Sequence, residues 1–563
     1  MIARAVLVAR DPESAADTGG CVLVSLHHDA WLLGAVGGLV WFAAGLGPWS
    51  GRLVRTIAGG VVLLAAIDAC MIEFMATRLS WGRLSVFALQ PGVVLQFLRD
   101  QRGLALAIGL PVVLLGGLAV LCWWPMSASR GARRGLLGAV AGAAAVGLWP
   151  VNDDLVIRWM RENLVELNRP NPEKKFYSAA KAAEWQQRYE TVAAPRTLHA
   201  APDRRNVILL VIESWSSYQS RAFGGLHDWT PELDRVAQAH TSFTRFHAGG
   251  YCTAEGLVYL LGGVRLWGRT ETLPTNWPKL DTLPRVFARA GYQSAFLTSG
   301  PLAFSHKDVW LKQAGYDYLE DLWNPFYRGW PRLVFGSAPD EALYRRTLQW
   351  IDGRPGATPW FLTVETITSH IPYPDPATGE PDIEASFRYA DRWAGWFVRE
   401  LEARKFFDHG VLLITGDHRA MVPVEAGEQQ RFGLGYSSRV PLVLVDPTRR
   451  AGEQNDALFK QSDLVPSFRH WLGETVKLGT FEASLFETQP NANNVALHRR
   501  GNERGVIDVL FHDGDGQVKL AGDETAFVSH RNIPAEQQAA VLALIAHERL
   551  ATETPRPVLP ARD

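Results

Sequence analysis

The sequence lacks a surplus of charge of either sign, since 57 lysines and arginines balance 58 aspartates and glutamates over 563 residues. It also has no long run of like charge, which argues against a basic surface for nucleic acid. Cysteine is scarce: Cys21, Cys70 and Cys122 lie in or near the apolar N-terminal third, and only Cys252 lies in the polar remainder. A disulfide framework within that remainder is therefore excluded.

The first 150 residues contain several segments with almost no charge. The clearest are Trp31 to Trp49, Ile57 to Met71, Gly103 to Pro125 and Gly135 to Pro150, and Leu84 to Leu98 is a fifth candidate. Two or three are long enough to cross a hydrocarbon core of about 30 Å. Buried helices of a soluble core are the alternative for each segment, but four or five in succession favour membrane spans. The sequence therefore predicts a bundle of four or five transmembrane helices over residues 1–150.

Arginines between these segments predict the orientation of the chain in a membrane. With five spans, seven arginines fall on one side and four on the other. The first group is Arg4, Arg10, Arg78, Arg83, Arg130, Arg133 and Arg134, and the second is Arg52, Arg55, Arg99 and Arg102. Because arginine accumulates on the cytoplasmic side, we expect a multi-pass protein of the inner or plasma membrane whose C-terminal domain is periplasmic or extracellular.

The remainder of the chain indicates an α/β fold. Residues 151–205 form a polar, partly helical juxtamembrane connector. From residue 206, apolar strand candidates alternate with amphipathic segments, which is typical of a mostly parallel sheet with helices on both faces. The strands include Gln293–Thr298, Trp360–Glu365 and Val440–Val445, and the helices Leu280–Ala290, Ala338–Ile351 and Phe387–Arg404. A hairpin with its turn at Asp513–Gly516, followed by a helix over Pro534–Leu550, predicts a small antiparallel C-terminal subregion within a domain of residues 206–563.

Two apolar runs end abruptly in side chains that bind metals. Asn206 to Ile212 is followed by Glu213, and Gly410 to Gly416 is followed by Asp417 and His418. Runs without alternation are typical of strands buried on both faces, and ligands bind outside the carboxyl ends of such strands. We therefore expect Glu213, Asp417 and His418 to hold a divalent metal ion, with manganese preferred and zinc or magnesium as alternatives.

Thr253 is the candidate reactive group. It follows the loop Gly249-Gly-Tyr-Cys252 and precedes an apolar helical run, so it is predicted at a helix N-terminus, where free backbone N–H groups favour an anion such as phosphate. A metal bound to its oxygen would lower the pKa of the hydroxyl and make it a nucleophile. A plain helix cap is the alternative role for Thr253.

The order of these motifs resembles the lipoteichoic acid synthase-like phosphoglycerol transferase branch of the sulfatase/alkaline phosphatase superfamily. The motifs are Val-Ile-Glu213-Ser, Cys-Thr253-Ala-Glu-Gly, Thr-Ser-His370 and Gly-Asp417-His418, and the similarity extends from Ala30 to about Gly473. The resemblance implies that Glu213, Thr253, Asp417 and His418 bind the metal and that Thr253 is the nucleophile. It places His370 near the substrate phosphate, where it would donate a proton; a structural loop histidine is the alternative.

A substrate-contacting segment of that family corresponds to Phe304-Ser-His306-Lys307 here. The resemblance implies that His306 and Lys307 contact substrate. Lys307 stands where the family has arginine and Ser305 where it has tryptophan, and a family histidine is replaced near Thr298. These departures leave the transferred head group open.

The implied reaction moves a phosphoglycerol-type head group from a phospholipid to an acceptor hydroxyl through a covalent phospho-threonine. Phosphatidylglycerol would be the donor, and a glycan, lipid or glycerophosphate chain the acceptor. The alternatives are a phosphoethanolamine transferase and a phosphodiesterase or sulfuric-ester-type hydrolase of the same superfamily. The first alternative is disfavoured by the single cysteine beyond the spans. A true sulfatase is disfavoured because Cys252-Thr-Ala-Glu-Gly256 lacks the proline and arginine of the sulfatase nucleophile motif. A non-catalytic membrane scaffold is disfavoured by the complete set of metal-site residues.

Overall fold

A computed structural model describes residues 18–43, scattered positions between 52 and 146, and residues 178–553 with short gaps. The gaps are 193–194, 268–279, 355, 357, 488–490, 500–504 and 522–524. The chain divides into two compact units. The first comprises Met1–Asn171 with the short stretches Val422–Ala426 and Gly501–Glu503, and the second comprises the rest.

The first unit contains helix α1, Thr18–Ala43, which includes the beginning of the predicted span at Trp31 but starts 13 residues earlier. The predicted spans Leu84–Leu98 and Gly103–Pro125 lie outside the described residues, and Ile57–Met71 and Gly135–Pro150 are described only at scattered positions. Among the residues that are described, no helix combines the length and the apolarity needed to cross a membrane.

The second unit is built on an eight-stranded sheet of order β5-β4-β6-β2-β7-β8-β3-β9. The strands are β1 (Arg196–Leu198), β2 (Asn206–Ile212), β3 (Thr241–His247), β4 (Gln293–Thr298), β5 (Tyr318–Glu320), β6 (Trp360–Glu365), β7 (Gly410–Gly416), β8 (Arg439–Val445) and β9 (Gln454–Lys460). Strand β1 is not part of this sheet, which consists of β2 to β9. Among these eight strands, β8 runs antiparallel to both of its neighbours and the others share one direction. The expected mostly parallel sheet is therefore confirmed, with one reversed strand that the sequence did not indicate.

Helices cover both faces of this sheet, as expected. The described helices from residue 179 onward are α2 (Ala179–Val192), α3 (Pro231–Ala239), α4 (Thr253–Gly262), α5 (Leu283–Arg289), α6 (Lys307–Ala314), α7 (Asp340–Asp352), α8 (Ile383–Ala403), α9 (Ala426–Phe432), α10 (Leu464–Trp471) and α11 (Gln538–Glu553). Val207, Leu209 and Val211 pack with α4, α5, α6 and α10. Ile208 and Leu210 pack with α3, α7 and α8 on the other face. Because both faces of β2 are buried, its sequence shows no polar alternation.

The C-terminal subregion is a four-stranded antiparallel sheet of order β11-β12-β13-β14, covered by α11. Its strands are β11 (Ala496–Arg499), β12 (Val506–Phe511), β13 (Gly514–Leu520) and β14 (Phe527–Arg531). The predicted hairpin is present, but its turn is His512–Asp513 and not Asp513–Gly516, because Phe511 pairs directly with Gly514. Gly514 and Gly516 extend the strand instead of making the turn.

The described part of the connector packs against late elements of the chain. Strand β1 pairs antiparallel with β10 (Val476–Leu478). Helix α2 lies on α11, where the rings of Tyr189 and His547 stack with centroids 3.7 Å apart. The described residues between 178 and 198 therefore pack as part of the second unit.

Candidate metal centre

Neighbouring strands bring the two predicted metal motifs together. Strands β2 and β7 are adjacent and parallel, and Ile212 pairs with Gly416 at the end of the register. Glu213 and Asp417 each follow one of these paired residues, so they emerge side by side at the carboxyl edge. Side chains alternate between the two faces of a strand, so Glu213 and Asp417 lie on the same face as Val211. Helix α4 covers that face, and both side chains point toward its beginning.

The ligand atoms of Glu213, Asp417 and His418 lie within 4.8 Å of one another. His418 Nε2 is 3.4 Å from Glu213 Oε1 and 3.3 Å from Asp417 Oδ2. All three side chains are buried, and neither His418 Nε2 nor Asp417 Oδ2 has a hydrogen-bond partner among the described residues. Buried polar atoms without partners are costly, and a cation among them would satisfy both. The residues therefore fit a divalent metal ion.

Surrounding groups orient these ligands. His418 Nδ1 lies 2.8 Å from the Arg419 carbonyl, which fixes the proton on Nδ1 and leaves the Nε2 lone pair for a metal. The backbone N–H groups of Ser214 and His418 donate to Asp417 Oδ1 at 2.8 and 2.9 Å, so Oδ2 faces the centre. Ser214 holds a left-handed conformation with φ of 60°, which aims its N–H at Asp417 and marks a strained position beside the site.

The charged groups of the cluster shift one another's pKa values. Burial opposes ionisation of Glu213, but the His418 imidazole, whose Nε2 lies 3.4 Å from Glu213 Oε1, lowers the pKa of Glu213 to about 2. Burial and the charge of Glu213 raise the pKa of Asp417 to about 7. Burial works against a charged His418, yet the two carboxylates raise its pKa to about 9. The cluster thus attracts positive charge, which a proton supplies when no metal is bound.

Thr253 is the first residue of α4, and Cys252 occupies the cap position, so Thr253 is not the helix cap. Its Oγ1 donates to Glu213 Oε2 at 3.1 Å, which places the hydroxyl at the metal ligands. The close approach of α4 depends on Gly256, where a Cβ would lie 2.4 Å from the Asp417 carbonyl oxygen. The hydroxyl, the free N–H groups of the first helical turn and the carboxylates therefore meet at one point.

His370 lies in the loop that follows β6 and carries the Thr-Ser-His motif. The preceding Ser369 donates to the Glu213 carbonyl at 2.7 Å, which ties this loop to the metal ligand. His370 Nδ1 lies 2.7 Å from the Ile371 carbonyl, and burial lowers the pKa of the ring although Glu213 opposes this. The ring is neutral near pH 7, and Nε2 is the nitrogen that can gain or lose a proton.

The two remaining predicted contacts differ in position. Lys307 donates to Glu365 Oε2 at 2.5 Å, and Glu365 ends β6 in register with Val211 and Thr298. Lys307 therefore lies at the same sheet edge as Glu213. His306 is exposed, with a φ of 57°, and no described contact connects it to the metal ligands.

Sequence reasoning missed two acidic residues near the site, Glu365 and Glu255. Glu365 is buried and keeps one carboxylate oxygen, Oε1, without a hydrogen bond among the described residues. Its only sequence signal was a charged residue at the end of the otherwise apolar strand Trp360–Glu365, the same signal that identified Glu213. Glu255 gave no signal of its own, because acidic residues are common in the first turn of a helix.

Comparison with known proteins gives the same fold. Residues 205–474 match the family model described as Sulfatase. A protein of the alkaline phosphatase superfamily from Vibrio parahaemolyticus is similar, with a TM-score of 0.54 and 17% identity over 68% of this chain and 98% of that chain. The lipoteichoic acid synthase LtaP from Listeria monocytogenes has a TM-score of 0.49 and 14% identity, over 67% of this chain and 100% of that chain.

The phosphonate monoester hydrolase of Agrobacterium radiobacter has a TM-score of 0.38 and 18% identity over 62% of this chain and 95% of that chain. Residues 205–474 thus have the α/β fold of the alkaline phosphatase/sulfatase superfamily.

Proposed function

We propose that the protein is a metal-dependent phosphotransferase that moves a phosphoglycerol-type head group from phosphatidylglycerol to an acceptor hydroxyl. One observation carries this proposal: the Thr253 hydroxyl lies 3.1 Å from Glu213 at the N-terminus of α4, beside Asp417 and His418. A hydroxyl with a carboxylate acceptor, a cation site and free helix N–H groups has what a nucleophile for a phosphodiester needs.

The bound metal, for which we propose manganese, would lower the pKa of the Thr253 hydroxyl and offset charge on the phosphoryl oxygens. Glu213, Asp417 and His418 would hold it, because their ligand atoms lie within 4.8 Å of one another, and Asp417 Oδ2 and His418 Nε2 have no hydrogen-bond partner among the described residues. The N–H groups of the first turn of α4 would bind a phosphoryl oxygen, and the cluster excludes water because its members are buried.

In the first half-reaction a bond forms between Thr253 Oγ1 and phosphorus, and the bond from phosphorus to the diacylglycerol oxygen breaks. The neutral His370 Nε2 would take up the proton of the Thr253 hydroxyl and pass it to the diacylglycerol oxygen, so that diacylglycerol leaves as the alcohol. In the second half-reaction the same nitrogen would take the proton of the acceptor hydroxyl, whose oxygen binds phosphorus, and return it to Thr253 Oγ1 as the bond from phosphorus to Thr253 breaks. The acceptor would be a glycan, a lipid or a glycerophosphate chain.

A membrane location supports a lipid donor. The charge-poor segments of residues 1–150 and the arginine asymmetry favour a multi-pass protein with its catalytic domain periplasmic or extracellular. This arrangement would hold the domain close to the head groups of its donor.

The test uses the full chain with manganese and vesicles of phosphatidylglycerol. We expect release of diacylglycerol and a glycerophosphate adduct on Thr253 by mass spectrometry, both absent in Thr253→Ala. Full activity of Thr253→Ala would refute the mechanism. Preference for phosphatidylethanolamine would identify a phosphoethanolamine transferase, and release of glycerophosphate to water in the presence of acceptors would identify a hydrolase.

A further inference from the structure

The loop that presents Thr253 is held from both sides by charged side chains. Arg265 donates to the Gly249 carbonyl at 2.5 Å and pairs with Glu548 of α11 at 3.0 Å. On the other side, Glu255 Oε2 accepts the backbone N–H of Tyr251 at 3.1 Å. The carbonyl that begins the loop and the amide just before Cys252 are therefore both tied down.

Glu255 in turn depends on the C-terminal sheet. Its Oε1 accepts from Arg499 Nη2 at 3.0 Å, and the side chains of Glu255 and Arg499 are 7% and 6% exposed. Arg499 also donates to the Trp267 carbonyl at 3.1 Å. Strand β11, which carries Arg499, lies beyond residue 474, where the match to the sulfatase family ends.

The negative charge of Glu255 lies close to the place where a phosphoryl group would bind, and Arg499 offsets that charge. Glu255 lies in the first turn of α4, two residues after Thr253, where the transferred phosphoryl group would bind. An uncompensated carboxylate there would repel the phosphoryl group and cancel the attraction of the helix N-terminus. The guanidinium of Arg499 offsets this negative charge through Glu255 Oε1, while Oε2 accepts the backbone N–H of Tyr251.

Tyr251 makes a second connection to the same strand. Its hydroxyl donates to the Arg499 carbonyl, and its ring lies edge-on to His498 with centroids 4.7 Å apart. The backbone and the side chain of the residue two positions before Thr253 are thus both fixed by β11. A purely structural ion pair between two layers would not require this convergence on one loop.

We propose that Arg499 is a positioning residue for Thr253. Through Glu255 it fixes the loop of residues 249–252, and it neutralises the carboxylate beside the phosphoryl group. This inference rests on the proposed role of Thr253 as nucleophile, and it assigns to the C-terminal sheet a part in binding the phosphoryl anion.

The test compares Arg499→Met, Arg499→Lys and the double variant Arg499→Met/Glu255→Gln in the full chain with manganese. Inorganic phosphate serves as the probe, through its competition with diacylglycerol release from phosphatidylglycerol. We expect Arg499→Met to raise the phosphate concentration that gives half-inhibition at least tenfold. It should also lower kcat/KM at least tenfold. The lysine variant, which keeps the charge, and the double variant, in which both charges are gone, should stay within about threefold of wild type in phosphate inhibition.

Arg205→Met is the matched control. Arg205 pairs with Asp446 at 2.6 Å and precedes β2, so it lies at the sheet edge opposite the metal ligands. It should lower the unfolding midpoint without changing phosphate inhibition. The proposal is overturned if Arg499→Met behaves like this control, or if the double variant binds phosphate as weakly as Arg499→Met.

If Arg499→Met does not fold, the lysine and double variants decide alone, and a tenfold loss of phosphate inhibition in either one overturns the proposal. Failure of the proposed function gives a different result. Wild type would then release no diacylglycerol from phosphatidylglycerol, or Thr253→Ala would be active. An active wild type with an unaffected Arg499→Met variant defeats only the role of Arg499.

Discussion

Lys307 and Glu365 form a buried ion pair at the carboxyl edge of the sheet, although 58 residues separate them. The distance from Nζ to Oε2 is 2.5 Å, and the side chains are 13% and 2% exposed. Burial raises the pKa of Glu365, which the charge of Lys307 opposes. Lys307 therefore offsets part of the cost of burying the Glu365 carboxylate.

Replacing Lys307 by Met should destabilise the domain, because it leaves Glu365 buried without its partner. The loss of unfolding free energy should be about 3–5 kcal/mol, measured by urea denaturation. The double variant Lys307→Met/Glu365→Gln should regain most of this loss, since no charge remains. An unchanged urea midpoint in the single variant would show that the pair contributes nothing to stability.

Metal affinity should rise with pH between about 6 and 9. In the metal-free cluster the pKa of Asp417 is raised to about 7 and that of His418 to about 9, so protons compete with the metal below these values. Affinity is therefore lost as the pH falls. Calorimetric titration of manganese at pH 8 in buffers of different ionisation enthalpy should show release of about one proton. Uptake without proton release would contradict the assignment of His418 as a ligand.

Gly256→Ala should impair the site, because the new Cβ would lie 2.4 Å from the Asp417 carbonyl oxygen and push α4 away. We expect a loss of about 1–3 kcal/mol in unfolding free energy and reduced diacylglycerol release. Gly262→Ala, in the same helix, is the matched control, since its nearest contact would be 3.5 Å. This second change should leave stability equal or improved by up to about 1 kcal/mol. Equal behaviour of the two variants would refute the close-approach argument.

Asp391 should make the unfolding free energy depend on pH. It lies inside α8 and accepts the backbone N–H groups of Glu232 and Leu233 at 2.9 and 2.8 Å, which caps α3. Burial raises its pKa to about 7, above the value of about 3.9 in an unfolded chain. The folded state therefore binds more protons between these values, and this contribution to stability is present below about pH 4 and lost as the pH rises through 7.

Asp391→Asn should flatten the decline of unfolding free energy between pH 4 and 7, by at most about 1.4 kcal/mol per pH unit. Urea denaturation across this range measures the slope. Asp382→Asn, which changes the exposed cap of α8 at Ala385, is the control. An identical slope in Asp391→Asn and wild type would show that Asp391 is ionised throughout.

Much of the sheet was predictable because burial on both faces leaves a clear pattern. The runs that form β2, β4, β6 and β7 are apolar and short, and each ends where a polar or charged residue appears. The direction of β8 was not predictable, since an apolar run reads alike in both directions. The hairpin turn was placed too late because glycines suggest turns, whereas Gly514 pairs with Phe511 within the ladder.

The sequence by itself determined the chemistry available to this protein: a hydroxyl after a glycine loop, and carboxylates and an imidazole at the ends of buried runs. These properties are local, because strand and helix patterns depend on neighbouring residues. The tertiary structure decided how closely these groups meet and which further side chains join them. The pairing of Ile212 with Gly416 brings Glu213 to Asp417, and the approach of Gly256 brings Thr253 to both. The contacts of Glu365 with Lys307 and of Arg499 with Glu255 appear only in three dimensions, since contacts across 58 and 244 residues depend on the fold.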